Sequence, residues 1–225
     1  MKKIMNRQYA VLGLGIFGST VAKTLSSYNC EVIALDNDAR CVDRMADIVT
    51  QAMQCDITDI DQLRTAGIQD CDIVIVSMGS HLEESVMAII NLKELGVPYI
   101  VAKAKNKRYM QIFSELGANK VVRPEKEMGE QVAKSVLGKN IIDIVDLDKE
   151  YSIVEIPTPK QWSGKSLIEL DLRRRYGINV VGIRSHLQPH LNVCPDAEYK
   201  IEADDHLVVI SDCKTLDKFD FLDEL

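Results

Sequence analysis

Nowhere does this sequence run for the roughly 18 apolar residues a helix needs to cross a bilayer. Nowhere do two of its six cysteines form a C-x-x-C pair. The first absence predicts a chain without a spanning helix. The second leaves neither a zinc knuckle nor a thioredoxin-type redox pair. Cys30, Cys41, Cys55, Cys71, Cys194 and Cys213 instead read as reduced thiols of a cytosolic protein. Basic charge is short as well: 27 Lys and Arg stand against 34 Asp and Glu, a net −7. A nucleic-acid-binding domain usually carries the opposite balance, and so does a surface that adsorbs to anionic lipid. Four histidines are scattered, and Pro189 separates His186 from His190, so no pair takes metal-ligand spacing on one helix face. Low-complexity tracts and repeats of solenoid period are missing too.

What is present suits a globular chain. Hydrophobic residues make up 46 % and charged residues 27 %, enough to bury a sizeable core. At 225 residues the length fits one and a half to two domains. Met1-Lys2-Lys3 before an apolar run resembles the start of a signal peptide, but glycines break the run and no small-residue cleavage site follows. A strand entering a glycine loop explains it better. Strand and helix patterns then alternate: strands at Tyr9–Leu12, Glu31–Leu35, Ile48–Met53, Asp72–Ser77, Tyr99–Ala102 and Lys120–Val122, with helices at Phe17–Ser27, Asp38–Asp47, Asp59–Gly67, His81–Leu95 and Asn106–Leu116 between them. This order predicts an α/β fold, a Rossmann-like doubly wound parallel sheet of six strands with right-handed crossovers.

A crossover helix, Glu127–Leu137, leads to an acidic stretch, Ile141–Leu147, and the domain boundary is expected near Asp146–Lys149. The first lobe then covers 1–146 and a smaller α+β lobe covers 147–225. In that lobe strands are expected at Tyr151–Ile156, Asn179–Ile183 and Leu207–Ser211. Helices are expected at Ser166–Arg174 and in the tail Thr215–Leu225.

The stretch YAVLGLGIFGSTVAKTL, Tyr9 to Leu25, sets Gly13, Gly15 and Gly18 at the G-x-G-x-x-G spacing between a strand and a helix. The first glycine permits a tight turn, the second lets backbone approach phosphate, and the third lets helix and strand pack closely. The helix N-terminus offers free N–H groups to an anion. Asp36 ends the second strand, where a carboxylate accepts hydrogen bonds from ribose hydroxyls and repels a 2′-phosphate. NAD therefore suits this pattern and NADP does not.

Further candidates fall at the carboxyl ends of the strands. Cys55 and Asp56 follow the third strand beside an adenine position, although Asp56 also reads as a helix cap. Met78-Gly79 ends the fourth, near a phosphate or nicotinamide position, and Lys103 and Lys105 end the fifth, either facing phosphates or forming a solvated rim. Glu125 follows the sixth and equally suits the first turn of a helix. Ser163-Gly164-Lys165-Ser166 imitates the end of a Walker A loop, but Pro159 stands where its first glycine belongs. Arg173-Arg174-Arg175 is an exposed helix face or an anion site. No acid/base or hydride-orienting set accompanies the glycine loop, which weighs against an NAD-dependent oxidoreductase. The acidic charge and the lack of a helix-turn-helix weigh against an NADH-reading repressor.

YAVLGLGIFG, Asp36, Asp56, DIVIVSMG, the strand bearing Lys103 and Lys105, and VVRPEKEMGEQVAKSV (Val121–Val136) together resemble the RCK domain, the regulator of conductance of potassium. The likeness is strongest to the cytosolic subunit of Ktr-type potassium uptake systems, relatives of the Trk gating subunit. YSIVEI and KSLIELDLRRRYGINVVGI (Lys165–Ile183) resemble the C-terminal lobe of that family. The resemblance implies a non-enzymatic regulatory subunit, cytoplasmic and peripheral to the membrane, whose dimers form a ring, an octamer, beneath a potassium-translocating membrane subunit. It implies ATP, ADP or NAD(H) in the first lobe, at Gly13, Gly15, Phe17, Gly18, Asp36, Cys55, Asp56, Lys103 and Lys105. It places a cation beside the nucleotide phosphates at Glu125. It implies cyclic di-AMP in the second lobe, at Leu167, Leu172, Arg173, Asn179 and Pro195. Where family members often carry an arginine that reaches a neighbour's γ-phosphate, this chain has Ile16.

Overall fold

Short runs rich in Val, Ile, Ala and Leu form the strands of the first lobe, and helices with one apolar face return the chain between them. The order is β1 (Gln8–Leu12), α1 (Ile16–Ser27), β2 (Glu31–Asp36), α2 (Ala39–Asp43), β3 (Gln51–Gln54), α3 (Ile60–Thr65), β4 (Ile73–Val76), α4 (Leu82–Glu94), β5 (Tyr99–Lys103), α5 (Lys107–Glu115), β6 (Lys120–Val122) and α6 (Pro124–Leu137). The computed structural model describes residues 7–79, 81–137, 143–148, 150–185, 190–212 and 215. His186, Cys213 and the expected tail helix beyond Thr215 lie outside the described residues.

The six strands pair in parallel in the order β3-β2-β1-β4-β5-β6. That is the doubly wound sheet the alternation predicts, with strand order reversing between β1 and β4. Both faces are covered, as a parallel sheet requires. Ala10, Leu12, Val74 and Val76 pack with Ile89, Leu92 and Phe113 on one face. Tyr9, Val11, Val32 and Ala34 pack with Ala22 of α1 on the other. Asp38, Asp59 and Asn106 start α2, α3 and α5 by accepting first-turn amides on their side chains.

Two elements are shorter than the periodicity predicts. α2 stops at Asp43, and β3 begins at Gln51. Met45 and Val49 are buried, which mimics a longer helix and an earlier strand. They reach the core from successive turns, with Ile48 and Val49 donating to the Met45 carbonyl at 2.9 and 3.1 Å.

The chain divides into two compact units, Met1–Lys126 and Glu127–Leu225. The second contains β7 (Asp143–Asp146), β8 (Tyr151–Pro157), α7 (Leu167–Leu170), α8 (Leu172–Tyr176), β9 (Asn179–Arg184), β10 (Asn192–Val193) and β11 (His206–Asp212). They form an antiparallel sheet in the order β10-β9-β11-β8-β7 with short helices against it. This division differs from a boundary near Asp146–Lys149. β7 precedes that point, yet its backbone bonds to β8 in antiparallel register, from Asp143 opposite Glu155 to Asp146 opposite Ser152.

The expected single helix Ser166–Arg174 is two helices. Asp171 adopts φ +43° between them. On a continuous helix Leu170 and Leu172 would point about 200° apart. The break lets both enter one core with Val154, Ile156, Trp162, Ile183, Leu207 and Val209.

Candidate functional site

β1 passes into α1 through Gly13-Leu14-Gly15. Gly13 sits at φ +91°, and its N–H donates to the Leu35 carbonyl at 2.8 Å. A Cβ there would meet Met78 Cγ at 2.5 Å. The Gly13 carbonyl accepts the Ser77 hydroxyl at 2.6 Å. Gly18 lies against that same carbonyl: its Cβ would come 1.9 Å from the oxygen. Around Gly15 a Cβ would meet no atom within 4 Å. Gly15 is the N-cap of α1 and has no side chain to spend on the first-turn amides, so their donors face open space.

Asp36 ends β2 beside this loop. One carboxylate oxygen accepts the Leu14 N–H at 2.5 Å, and the other accepts the Asp38 N–H at 2.9 Å. These bonds fix the carboxylate at the rim of the glycine turn, and each oxygen keeps a lone pair for an outside donor.

The facing wall comes from the ends of β4 and β5. Ser77, Met78 and Gly79 follow β4, and His81 Nδ1 lies 3.5 Å from Glu84 at the start of α4. Lys103 ends β5. Its Nζ is 2.5 Å from Glu125 Oε1, in the first turn of α6, and 5.5 Å from the centre of the Phe17 ring. The Lys103 side chain is only 17 % exposed, whereas that of Glu125 is 69 % exposed. The Lys103 ammonium, donating to it, holds the Glu125 carboxyl below its ordinary range. The ion pair is therefore present above that ordinary range and is lost as pH falls through the lowered value. Carboxyl NMR should show Glu125 titrating below a normal glutamate and returning toward it in Lys103→Met. A normal Glu125 titration in the unsubstituted protein would refute the pairing.

These residues enclose a cavity of about 700 Å³, and a second of about 200 Å³ adjoins it. Gly13, Gly15, Ile16, Phe17, Asp36, Met78, Lys103, Lys105 and Glu125 all line the larger. Cys55 and Asp56 line the smaller. Gly18 lines neither; its place is in the packing beneath the loop. Asp59, not Asp56, caps α3. Asp56 instead accepts the Thr58 N–H and hydroxyl, at 2.9 and 2.7 Å. Burial, chiefly, pushes the Cys55 thiol up to about 11, so it stays protonated and unreactive. Gly79 also lines the larger cavity, as do Asn37, Ser77, His81 and Glu84, which the motif reading did not name as site residues. Each follows the carboxyl end of β2 or β4, and the rule that ligands bind beyond the carboxyl ends of parallel strands was the signal for them.

In the second unit Arg173 and Asn179 are exposed, and Leu167 and Pro195 are half-buried. Leu172, at 4 % exposure, belongs to the core, because the break at Asp171 turns it inward. α7 is tied to the segment after Pro195 by the Leu167 N–H to the Tyr199 carbonyl, 3.3 Å, and the Ile168 N–H to Ala197, 2.9 Å. Ser166, last of the Walker-like letters, caps α7 in a reciprocal bond with Glu169. Among the described residues no three His, Cys, Asp or Glu side chains gather around a metal position, and no helix is long and apolar enough to cross a membrane.

Comparison with known proteins finds two family domains in the chain. Residues 9–124 match the TrkA-N domain, and residues 151–220 match the TrkA-C domain. The chain is 36 % identical over 216 residues to Ktr system potassium uptake protein C of Bacillus subtilis (strain 168), covering 96 % of this chain and 97 % of that one. It is 34 % identical over 220 residues to Ktr system potassium uptake protein A of the same organism, covering 98 % of each. Among solved structures, the GsuK channel bound to NAD superposes with a TM-score of 0.62 at 18 % identity, over 96 % of this chain and 39 % of that one. The chain thus carries a TrkA-N domain followed by a TrkA-C domain. The chain belongs to the family of Ktr system potassium uptake proteins.

Proposed function

We propose that this chain is a cytosolic regulatory subunit, not an enzyme, that binds an adenine nucleotide in its first lobe and thereby sets potassium uptake through a membrane-embedded partner. The observation that carries the nucleotide site is Asp36, held by the Leu14 and Asp38 amides at the rim of the uncapped α1 N-terminus. Ribose hydroxyls donate to its oxygens while the loop amides meet a diphosphate. ATP, ADP and NAD(H) share that adenosine diphosphate core. Cys55 and Asp56 flank the adenine, and Lys103 and Lys105 take phosphate charge.

A ligand shifts a conformational equilibrium only by binding its two states unequally. Phosphate that draws Lys103 away also frees Glu125, in the first turn of α6, to hold a cation with the phosphates and water. Occupancy is thus coupled to α6. In the second lobe cyclic di-AMP meets the exposed Arg173 and Asn179 with its phosphates and Leu167 and Pro195 with a purine, and Leu172 supports that wall from the core. Dimers assemble into an octameric ring on the cytosolic face of the membrane subunit. Support for the transport role is the full-length identity to the Bacillus proteins.

Calorimetric titration of the purified chain tests this reading. ATP, ADP or NAD(H) should bind, and Asp36→Ala should weaken binding by at least about tenfold, the worth of a charged hydrogen-bond acceptor. NADP should bind at least about tenfold more weakly than NAD, since its 2′-phosphate meets Asp36. Unchanged affinities in Asp36→Ala would remove the site assignment. Cyclic di-AMP binding that ignores Arg173→Ala would remove the second.

A further inference from the structure

Charge is unevenly divided along the first lobe. From Glu31 to Asp72 there are ten carboxylates against three arginines, and from Tyr99 to Lys126 two carboxylates against seven cations. The three arginines of the acidic stretch are engaged close to home. Arg40 holds Asp38 at 3.0 Å, Arg64 holds Asp61 at 2.7 Å, and Arg44 donates to the Cys41 sulfur at 3.1 Å. Among the described residues no cation pairs with Asp43 or Asp47, and both are exposed. Beside them two large apolar side chains face solvent, Tyr28 at 72 % exposure and Ile48 at 39 %. One corner carries both, at the amino ends of β2 and β3. The Ser26 hydroxyl donates to the Ile48 carbonyl, and the Val32 N–H donates to the Thr50 hydroxyl oxygen at 3.0 Å. Asn29, at φ +59°, turns the chain from α1 into β2, and the exposed Glu31 opens that strand.

We infer that this corner docks a basic cytosolic loop of the membrane-embedded partner, one with an apolar residue among its lysines or arginines. The inference rests on the membrane-partner reading above and locates a surface for it. Short cytosolic loops of membrane proteins carry an excess of Lys and Arg. Glu31, Asp43 and Asp47 offer the opposite charge. Carboxylates alone would steer such a loop without fixing it. Tyr28 adds a large aromatic anchor, the kind of side chain that dominates interface energies, and Ile48 extends its apolar surface. The cations of β5 and β6 lie across the sheet from β3, so the field of the lobe turns this acidic edge toward a basic partner. The corner is also separate from the nucleotide cavities. β2 starts at the corner with Glu31 and ends at the cavity with Asp36, so loop and nucleotide do not compete for space.

The test is flotation of the full chain with proteoliposomes that carry the potassium-translocating subunit of its Ktr system, beside empty liposomes of the same lipid. The unsubstituted chain should bind the loaded vesicles and not the empty ones, less tightly as salt rises. Asp43→Lys combined with Asp47→Lys should weaken binding at least about tenfold, and Tyr28→Ala at least about fivefold. Asp43→Asn with Asp47→Asn, which only removes charge, should fall between the double lysine variant and the unsubstituted chain. All these side chains are exposed, so melting temperature and nucleotide affinity should stay unchanged in every variant. The double lysine variant or Tyr28→Ala binding as tightly as the unsubstituted chain would overturn the docking surface and leave the partner reading standing. Equal binding to empty liposomes would assign the corner to lipid instead. A smaller assembly mass for Tyr28→Ala in light scattering would make it a contact between copies of this chain, and either result overturns the inference. An unsubstituted chain that ignores the loaded vesicles would overturn the partner reading, and the surface with it.

Discussion

Gly18→Ala should destabilise the first lobe by about 3 kcal/mol or more, an overpacking cost, and remove nucleotide binding, while Gly15→Ala leaves the lobe folded and removes binding alone. The contrast follows from what each new methyl meets. At position 18 the methyl would come 1.9 Å from the Gly13 carbonyl oxygen and 2.5 Å from Ser77 Oγ. Neither neighbour is a flexible side-chain end. The carbonyl is itself fixed by the Ser77 hydroxyl, and the Ser77 N–H donates to the Leu12 carbonyl at 2.8 Å, so β1, β4 and α1 meet at one point. Making room separates α1 from the sheet and misplaces the amides that face phosphate. At position 15 the backbone is ordinary for alanine, with φ −62°, and the methyl enters open space. That space is where phosphate must come within hydrogen-bond distance of backbone. Thermal unfolding should fall by roughly 10 °C in Gly18→Ala and by little in Gly15→Ala, with nucleotide titration lost in both. Equal melting temperatures for the two variants would contradict the packing role of Gly18.

The same loop explains why so much of the first lobe was legible in the sequence. A parallel sheet buried on both faces writes its strands as apolar runs, and G-x-G-x-x-G spacing with an acid after the second strand marks the reversal of strand order. Those local signals locate Asp36 and the strand ends, so Met78, Lys103, Lys105 and Glu125 follow by topology. What the sequence does not show is pairing at a distance. Nothing in the letters says that Lys103 and Glu125 meet, or that His81 and Glu84 turn into the same cavity, because such contacts depend on how far each helix is offset from its strand. The second lobe was less legible for a related reason. The stretch Ser166–Arg174 reads as one helix, on which Leu170 and Leu172 would face opposite ways, and only the left-handed Asp171 shows that both point inward. β7 reads as an acidic connector, since only its partner β8 makes it a strand.

Asp205→Ala should unfold the second lobe locally and abolish cyclic di-AMP binding, with the first-lobe nucleotide affinity unchanged. Asp205 is fully buried at the entrance to β11. Its carboxylate accepts the Tyr199 hydroxyl and the Glu202 N–H, both at 2.9 Å. Its carbonyl accepts the Thr158 N–H at 3.0 Å and the Thr158 hydroxyl at 2.7 Å. The residue thus joins the end of β8, the start of β11 and the loop between Tyr199 and Glu202. Removing the carboxylate takes the acceptor from two part-buried donors, at about 1 kcal/mol each. The loss reaches the proposed ligand wall by a short route. Ile201 donates to the Lys165 carbonyl at 3.0 Å, Leu167 donates to Tyr199, and Ser166 bridges to Lys200, so α7 hangs on the loop that Asp205 holds. Asp205→Asn keeps an acceptor oxygen and should recover part of the stability. Hydrogen exchange on the full chain checks the claim: amides of Ile201, Leu207 and Val209 should lose protection in Asp205→Ala, and those of Val11 and Val74 should keep theirs. Unchanged protection at Ile201 would show that the buried carboxylate does not hold the loop.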